Sequence, residues 1–394
     1  MKVLWLCQYP FESLLRFSGT GIVPNARPAT WLVNLSSALG KYYPEIELHI
    51  LTETAKIRHD ESFVDSGVNF HLVRSRSSIP FTLKGFPSWA PLDAATKFLL
   101  NRRKLGRYID KIQPDLLHIH GTETVYGLMA IKPGLPVLVS LQGIITKISE
   151  QERNLRYRLI QKFERDTIRR STFFIAKTPF ARDFIRSINP DARVFEIENP
   201  MNEVFFSTIR HPGVEKLAVF IGYLAKEKGI EDLLAATARL SDLRLVVVGR
   251  GNGEYERELL GIANSLGISS RVKWTGYLAP GEIAELFSKA SLLVLPSYAE
   301  NSPNVVSEAM CSGVPVVASD VGGIPQMISD GNTGFLVPPG DVDSLVSAID
   351  RVTSNPALAD KMGREARKGA TGRFDPRLAA ERVSTAYEEV LAAG

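Results

Sequence analysis

Two glutamates eight positions apart, Glu300 and Glu308, bracket the run Asn301-Ser302-Pro303-Asn304-Val305-Val306-Ser307. An ionised carboxylate accepts from two neighbouring hydroxyls at once, so such a pair suits a sugar or a ribose. Pro303 is expected at a first helical position, where its missing N–H leaves nothing unpaired. The amides of Asn304 and Val305, just after Ser302, would then be free donors at a helix N-terminus, which favours a phosphate. A second stretch, Gly222-Tyr223-Leu224-Ala225-Lys226-Glu227-Lys228-Gly229, sets two lysines beside a glycine turn. Taken alone, both stretches read equally well as solvated loop and helix charge.

Other candidates carry weaker signals. Gly249-Arg250-Gly251-Asn252-Gly253 follows a strand-like run, but Glu254 stands where a dinucleotide fingerprint needs its third glycine, and no acidic residue closes the run Val272 to Gly276. Ser18-Gly19-Thr20-Gly21 reads either as a plain turn or as a loop whose glycines, Gly19 and Gly21, let backbone approach a donor phosphate or an acceptor. In Asp115-Leu116-Leu117-His118-Ile119-His120-Gly121 the two histidines are read as facing opposite ways, which denies them a shared metal, and His120, at the strand end, is the crevice candidate. Asp341-Val342-Asp343 reads as a helix N-cap with first-turn charge, so no metal site and no cofactor are expected.

These residues need elements to hold them at strand ends. In the second half, strands are predicted at Leu217 to Leu224, Leu243 to Gly249, Val272 to Leu278, Ser291 to Ser297, Val314 to Asp320 and Gly334 to Pro338, each followed by a helical stretch. Near-continuous apolar runs such as Leu245-Val246-Val247-Val248 suit strands covered on both faces, hence a doubly wound parallel sheet. The first half repeats the plan with strands at Lys2 to Gln8, Ile46 to Thr52, Val68 to Val73, Asp115 to His120, Pro136 to Gln142, Thr172 to Lys177 and Arg193 to Glu198. Ser75 to Pro91 reads as a loop. The boundary is placed near His211-Pro212-Gly213, giving domains 1–210 and 211–375, with an amphipathic helix over 376–394 expected to pack back on the first domain.

With 394 residues, 44% hydrophobic and 23% charged, the composition is that of a two-domain soluble protein. No apolar run is long enough to span a membrane. Two cysteines, Cys7 and Cys311, exclude a disulfide framework and point to a reducing cytoplasm. Residues 1–200 hold 28 basic against 19 acidic side chains and the remainder 19 against 24, so the halves carry +9 and −5. The basic half, with Arg153, Arg156, Arg158, Lys162, Arg165, Arg169 and Arg170 at mixed helical spacings, reads either as solvated surface or as a face for anionic lipid or polymer. No nucleic-acid partner is indicated.

From Pro296 to Asp341 the chain resembles the retaining glycosyltransferases of family four. The resemblance rests on Glu308-Ala309-Met310-Cys311-Ser312-Gly313-Val314-Pro315-Val316-Val317-Ala318-Ser319-Asp320-Val321-Gly322-Gly323, on Gly331-Asn332-Thr333-Gly334-Phe335, and on Pro338-Pro339-Gly340-Asp341. It implies the GT-B fold, two Rossmann-like doubly wound domains facing a central cleft, and a nucleoside diphosphate sugar as donor. By the same resemblance Glu308 would bind the ribose hydroxyls and Glu300 the donor sugar, Lys228 and Gly222 belong to the diphosphate loop, and Gly249 and Tyr277 border the nucleotide. Two positions depart from the family: Tyr223 stands where it has an arginine, with Lys226 or Arg250 as the available substitutes, and Gln142 stands where it has a histidine.

The reading is a retaining, metal-independent transferase with Glu300, Lys228 and His120 as catalytic candidates, acting on a glycan, glycolipid or small-molecule acceptor in cell-surface polysaccharide or glycolipid synthesis, peripheral at the inner membrane face. A non-catalytic sugar-nucleotide-binding subunit, a GT-B-like phosphorylase or epimerase, and an NAD oxidoreductase are the rivals. Base, sugar and acceptor stay open.

Overall fold

Alternating aliphatic runs and amphipathic stretches fold into two open sheets. The computed structural model describes residues 1–11, 14, 29–74, 98–122, 125–130, 134–144, 146, 155–211 and 215–393. Gly19, Gly21 and the Ser75 to Pro91 segment lie outside the described residues.

The first sheet holds eight strands: β1 (Lys2–Leu6), β2 (Glu47–Thr54), β3 (Glu61–Asp65), β4 (Val68–Arg74), β5 (Leu116–His120), β6 (Val137–Ser140), β7 (Phe173–Ala176) and β8 (Arg193–Glu196). Their order is β3-β4-β2-β1-β5-β6-β7-β8. All neighbours pair in parallel except β3, which runs antiparallel to β4. β3 is absent from the expected set. Its signal was Asp65-Ser66-Gly67-Val68, where Ser66 (φ 49°) and Gly67 (φ 80°) both adopt the left-handed conformation that a tight hairpin requires. The described helices of this unit are α1 (Thr30–Tyr42), α2 (Leu99–Ile112), α3 (Val125–Met129), α4 (Leu155–Arg170) and α5 (Pro179–Ile188).

The second sheet, β11-β10-β9-β12-β13-β14, is wholly parallel. Its strands are β9 (Lys216–Ile221), β10 (Leu243–Val248), β11 (Val272–Gly276), β12 (Leu292–Leu295), β13 (Val316–Ser319) and β14 (Gly334–Val337), all within the expected runs except for one residue at the start of β9. Helices α6 (Glu203–Ser207), α7 (Ile230–Arg239), α8 (Gly253–Ser265), α9 (Pro280–Lys289), α10 (Asn304–Cys311), α11 (Val342–Thr353) and α12 (Pro356–Arg373) belong to it. Val219, Leu293, Val294, Val316 and Val317 are fully buried, as strands covered on both faces must be. All six strands end one to three residues earlier than expected, and Gly249 (φ 137°) and Gly276 (φ 72°) take a positive φ at the carboxyl ends of β10 and β11.

The chain divides into two compact units, and the main run of the second, Asn199–Leu378, starts ahead of the expected boundary near His211. The physical reason lies in α6: Phe205 is buried in the second core, the amide of Met201 donates to the carbonyl of Phe374, and that of His211 to the carbonyl of Ser288. The C-terminal helix α13 (Pro376–Ala392) enters the first unit from Ala379 onward. There the buried Tyr387 hydroxyl accepts from Trp5 Nε1 (2.8 Å) and meets His118 Nδ1 (2.7 Å). No described helix is long and apolar enough to cross a membrane.

Candidate functional site

The strand order of the second unit reverses between β9 and β12, so their carboxyl ends flank a crevice of the kind in which doubly wound sheets bind ligands. Lys228 follows β9 and Glu300 follows β12. Their side chains meet: Lys228 Nζ donates to Glu300 Oε1 at 2.5 Å, and Ser297 Oγ donates to the same oxygen at 2.9 Å. Both side chains are largely buried, Lys228 keeping 22% and Glu300 10% of their exposure. An ammonium has three donors, so the pair leaves Lys228 two for a ligand.

Glycines hold this geometry. Gly322 has φ 57°, and a Cβ there would lie 1.8 Å from the carbonyl oxygen of Glu300. Gly229 has φ 64°, and its Cβ would lie 2.0 Å from the carbonyl oxygen of Pro296. The loop carrying Glu300 is therefore gripped on two sides by backbone that admits no side chain. At the neighbouring strand ends the amide of Gly222 donates to Val248, that of Gly249 to Gly276 and that of Leu224 to Arg250. A Cβ on Gly249 would fall 1.8 Å from the carbonyl oxygen of Gly222. These contacts stitch the loops after β9, β10 and β11 together through backbone.

Glu308 lies in α10, half-buried. Among the described residues its carboxylate has no hydrogen-bond or ion-pair partner, and burial pushes its pKa up to about 7. The charge of Glu308 also helps raise the phenol of Tyr277, behind the larger effect of burial. Pro303 is the N-cap of α10, not its first helical residue, and gives no side-chain cap. Asn304 and Val305 therefore open the helix, their amides lacking acceptors one turn back. The Asn304 carbonyl oxygen Oδ1 is occupied by Asn199 Nδ2 at 2.8 Å, and Ser302 Oγ faces Met327 Sδ at 4.0 Å.

The two cations expected as substitutes for an arginine at Tyr223 lie beside other groups. Lys226 Nζ sits 3.6 Å from Glu258 Oε1, and Arg250 is exposed with its guanidinium against Gly276. Asp341 caps α11, accepting from the amide of Ser344 at 3.0 Å, and Asp343 meets Arg239 at 2.5 Å.

In the first unit, His118 and His120 share one face, which corrects the expectation that they point apart. Residues two apart on a strand project to the same side, and the rings lie 3.9 Å between centroids. Hydrogen bonds fix the order of protons. Trp5 Nε1 is a donor only, so the Tyr387 hydroxyl accepts from it and donates to His118 Nδ1, leaving His118 Nε2 to donate to Ser140 Oγ at 2.7 Å. Burial lowers the pKa of His118 to about 3 and that of His120 well below the usual imidazole range, so both are neutral. At the ends of β6 and β7, Lys177 Nζ donates to Gln142 Oε1, which takes up the acceptor end of that amide. The buried Glu164 accepts from the amide and hydroxyl of Thr146 (2.9 and 2.5 Å) and from the hydroxyl of Thr122 (3.4 Å). On α4, Arg158, Lys162, Arg165 and Arg169 are exposed and lie at helical spacings that share a face. Arg153 and the side chain of Arg156 lie outside the described residues.

Sequence reasoning missed Ser297, Gly229, Gly322, Asn199, Lys177 and Glu164. Ser297 had a signal in its three-residue spacing from Glu300, and Gly229 and Gly322 stand within stretches already singled out though without a role; Asn199, Lys177 and Glu164 act through contacts made by distant segments.

Residues 202–369 match the model of glycosyl transferases group 1, and residues 29–203 that of Glycosyltransferase Family 4. The α-D-kanosaminyltransferase of Streptomyces kanamyceticus is 27% identical over 342 residues, 79% of this chain and 86% of that protein. The D-inositol 3-phosphate glycosyltransferase of Mycobacterium marinum is 34% identical over 174 residues, 43% of this chain and 35% of the other, so the match spans about a third of that relative. Among solved structures, sucrose-phosphate synthase from Thermosynechococcus elongatus superposes with a TM-score of 0.82 at 20% identity over all of both chains. Anabaena HepE in complex with UDP-glucose does so with 0.72 at 19% identity, over 99% of this chain and 100% of the other. With two parallel-sheet units, and two family models that together run from residue 29 to residue 369, the chain belongs to the family four, group 1 glycosyltransferases of GT-B fold.

Proposed function

We propose that the second unit holds a nucleoside diphosphate sugar and that the chain transfers its glycosyl group, with retained configuration and without a metal, to an acceptor hydroxyl. The observation that carries this reading is the Lys228–Glu300 contact at 2.5 Å beside the open N-terminus of α10. In this reading Glu308 accepts from the ribose hydroxyls, Tyr277 and the backbone of Gly249 and Gly276 border the nucleoside, and Lys228 with the amides of Asn304 and Val305 receives the diphosphate.

The ammonium of Lys228 and the hydroxyl of Ser297, both donating to Glu300, lower the nucleophilicity of its carboxylate toward the anomeric carbon. That supports a same-face route. The bond from the anomeric carbon to the leaving phosphate oxygen breaks, the bond to the acceptor oxygen forms, and the acceptor proton passes to the departing phosphate. Lys228 stabilises the charge that develops there. His120, neutral, is assigned to the acceptor side. The exposed basic face of α4 supports peripheral contact with an anionic surface. The name of the inositol 3-phosphate relative supports a small-molecule acceptor alongside a glycan or glycolipid.

Calorimetry of UDP, GDP and ADP, each with EDTA, on the native chain and on Glu308→Ala tests the assignment. One nucleotide bound without metal by the native chain and lost in the variant is expected. Equal binding to both proteins, or none to either, rejects the donor site.

A further inference from the structure

Beside the loop after β9, on the side turned to α8, the second unit carries an open groove of about 330 Å³. Its lining includes Tyr223 and Lys226 from that loop and Asn252, Glu254, Tyr255 and Glu258 from the start of α8, and neither Glu300 nor Glu308 contributes to it. The volume falls within the ordinary range of small-ligand pockets.

Its chemistry is specific. Tyr255 is 8% exposed, and its hydroxyl donates to Glu231 Oε1 at 3.0 Å, which fixes the ring as a rigid wall. Tyr223 adds a second aromatic side chain. Glu254 and Glu258 are exposed and one helical turn apart, so both carboxylates project from the same face of α8. Among the described residues the Glu254 carboxylate has no hydrogen-bond or ion-pair partner. Glu258 is met only at 3.6 Å by Lys226, whose ammonium lies 5.8 Å from the Tyr255 ring centroid and stays 72% exposed. Asn252 accepts from the amide of Glu254 through Oδ1, which leaves its NH₂ group as a donor.

Apolar ring faces beside carboxylates and an amide donor match a pyranose, which presents C–H faces and equatorial hydroxyls. Two carboxylates against one ammonium select the charge of that ring. We propose that this groove is a second saccharide site, distinct from the donor pair, that takes a neutral or cationic sugar ring and rejects an anionic one. It stands independently of the nucleotide assignment to Glu308.

Saturation-transfer NMR tests it with four probes: methyl α-glucoside, methyl α-mannoside, glucosamine and glucose 6-phosphate. The native chain is expected to give signal with at least one of the first three and none with the phosphate. The double variant Glu254→Gln, Glu258→Gln should lose at least fivefold of that signal while keeping native nucleotide binding, which shows that the unit is folded. If the double variant fails to fold, Glu254→Ala, at an exposed helix start, is read in its place. Three outcomes overturn the proposal: no signal from any probe, equal signal in native and variant chains, or signal lost in Glu300→Gln instead, which would place the sugar at the donor pair. Binding of glucose 6-phosphate as strongly as the neutral glycosides overturns the charge selection.

Discussion

Lys228 and Glu300 are 72 residues apart in sequence, and their side chains touch at 2.5 Å because each is the product of a strand ending at the point where the sheet order reverses. β9 and β12 are immediate neighbours. A cation and a carboxylate set there neutralise one another and leave the lysine with donors to spare. In the proposed reading an incoming diphosphate would meet a cation already oriented, and a sugar hydroxyl would meet the second oxygen of Glu300.

Replacing Lys228 by Met removes the cation and leaves Glu300 with only Ser297. Nucleoside diphosphate affinity is expected to fall about 10-fold and turnover about 100-fold or more, since a charge-stabilising donor matters most once charge develops. Lys228→Arg should recover part of both. Calorimetry with steady-state kinetics reads the split, and a variant that binds and turns over as the native chain does would remove Lys228 from the site.

If Glu308 holds the ribose as proposed, its carboxyl, pushed up to about 7 by burial, would give nucleotide binding a defined pH dependence. Accepting two ribose hydroxyls requires the ionised form, so affinity is expected to rise between about pH 6 and 8. Stability runs the other way. With a folded pKa above the unfolded value near 4.5, the native chain binds more protons between those two values, so this group's contribution is present below about 4.5 and is lost as pH rises through about 7. Glu308→Gln should flatten both trends, and chemical denaturation at pH 5 and 8 checks the second. A native stability that rises over that interval, with a variant that follows the same slope, would be inconsistent with a half-buried, unpaired Glu308 of raised pKa.

Gly322→Ala tests the grip on the Glu300 loop. The left-handed backbone alone costs a side chain about 1–2 kcal/mol, and the Cβ must displace the Glu300 carbonyl oxygen, 1.8 Å away. Gly267 is the control, with φ 68° and nothing within 4 Å of a built Cβ. Gly267→Ala should cost only the backbone strain and leave nucleotide binding intact, while Gly322→Ala should lose more stability and weaken binding. Thermal unfolding and calorimetry on the two variants compare them directly.

The hydroxyl of Tyr387 joins the C-terminal helix to the first sheet through Trp5 and His118. Tyr387→Phe leaves a buried indole N–H and an imidazole nitrogen without that partner and should destabilise the chain by about 1–3 kcal/mol. Because Tyr387 also fixes the proton on His118, the imidazole resonances of His118 should shift in the variant. Urea unfolding gives the first result and nitrogen-edited NMR the second.

Much of this architecture is legible in the sequence because parallel strands covered on both faces leave continuous aliphatic runs such as Leu245-Val246-Val247-Val248, and because Glu300 and Glu308 sit in a dense signature. What is not legible depends on pairing between distant segments. Gly322 is one glycine among many until the carbonyl of Glu300 is placed above it. Residues 199–210 read as the tail of the first half until Phe205 is found in the second core. β3 was missed because a short half-exposed strand carries little apolar pattern, and the histidine pair was misjudged on strand periodicity, which places His118 and His120 on one face.

Tyr223 offers the test with a gain as its outcome. The family places an arginine at this position, and here the neighbouring cations are directed elsewhere, Lys226 toward Glu258 and Arg250 against Gly276. A tyrosine has one hydroxyl and no charge, whereas a guanidinium forks onto two phosphate oxygens at once. If the loop after β9 receives the diphosphate, Tyr223→Arg should tighten nucleoside diphosphate binding by about 10-fold, the range of a charge-assisted hydrogen bond, with a steeper loss on adding salt. It should also remove one aromatic side chain from the groove beside α8 and weaken the binding of a neutral glycoside there. Calorimetry with the nucleotide and NMR with the glycoside separate the two effects. A variant whose nucleotide affinity is unchanged would mean that the phosphates do not reach Tyr223, and that Lys228 and the α10 N-terminus hold them alone.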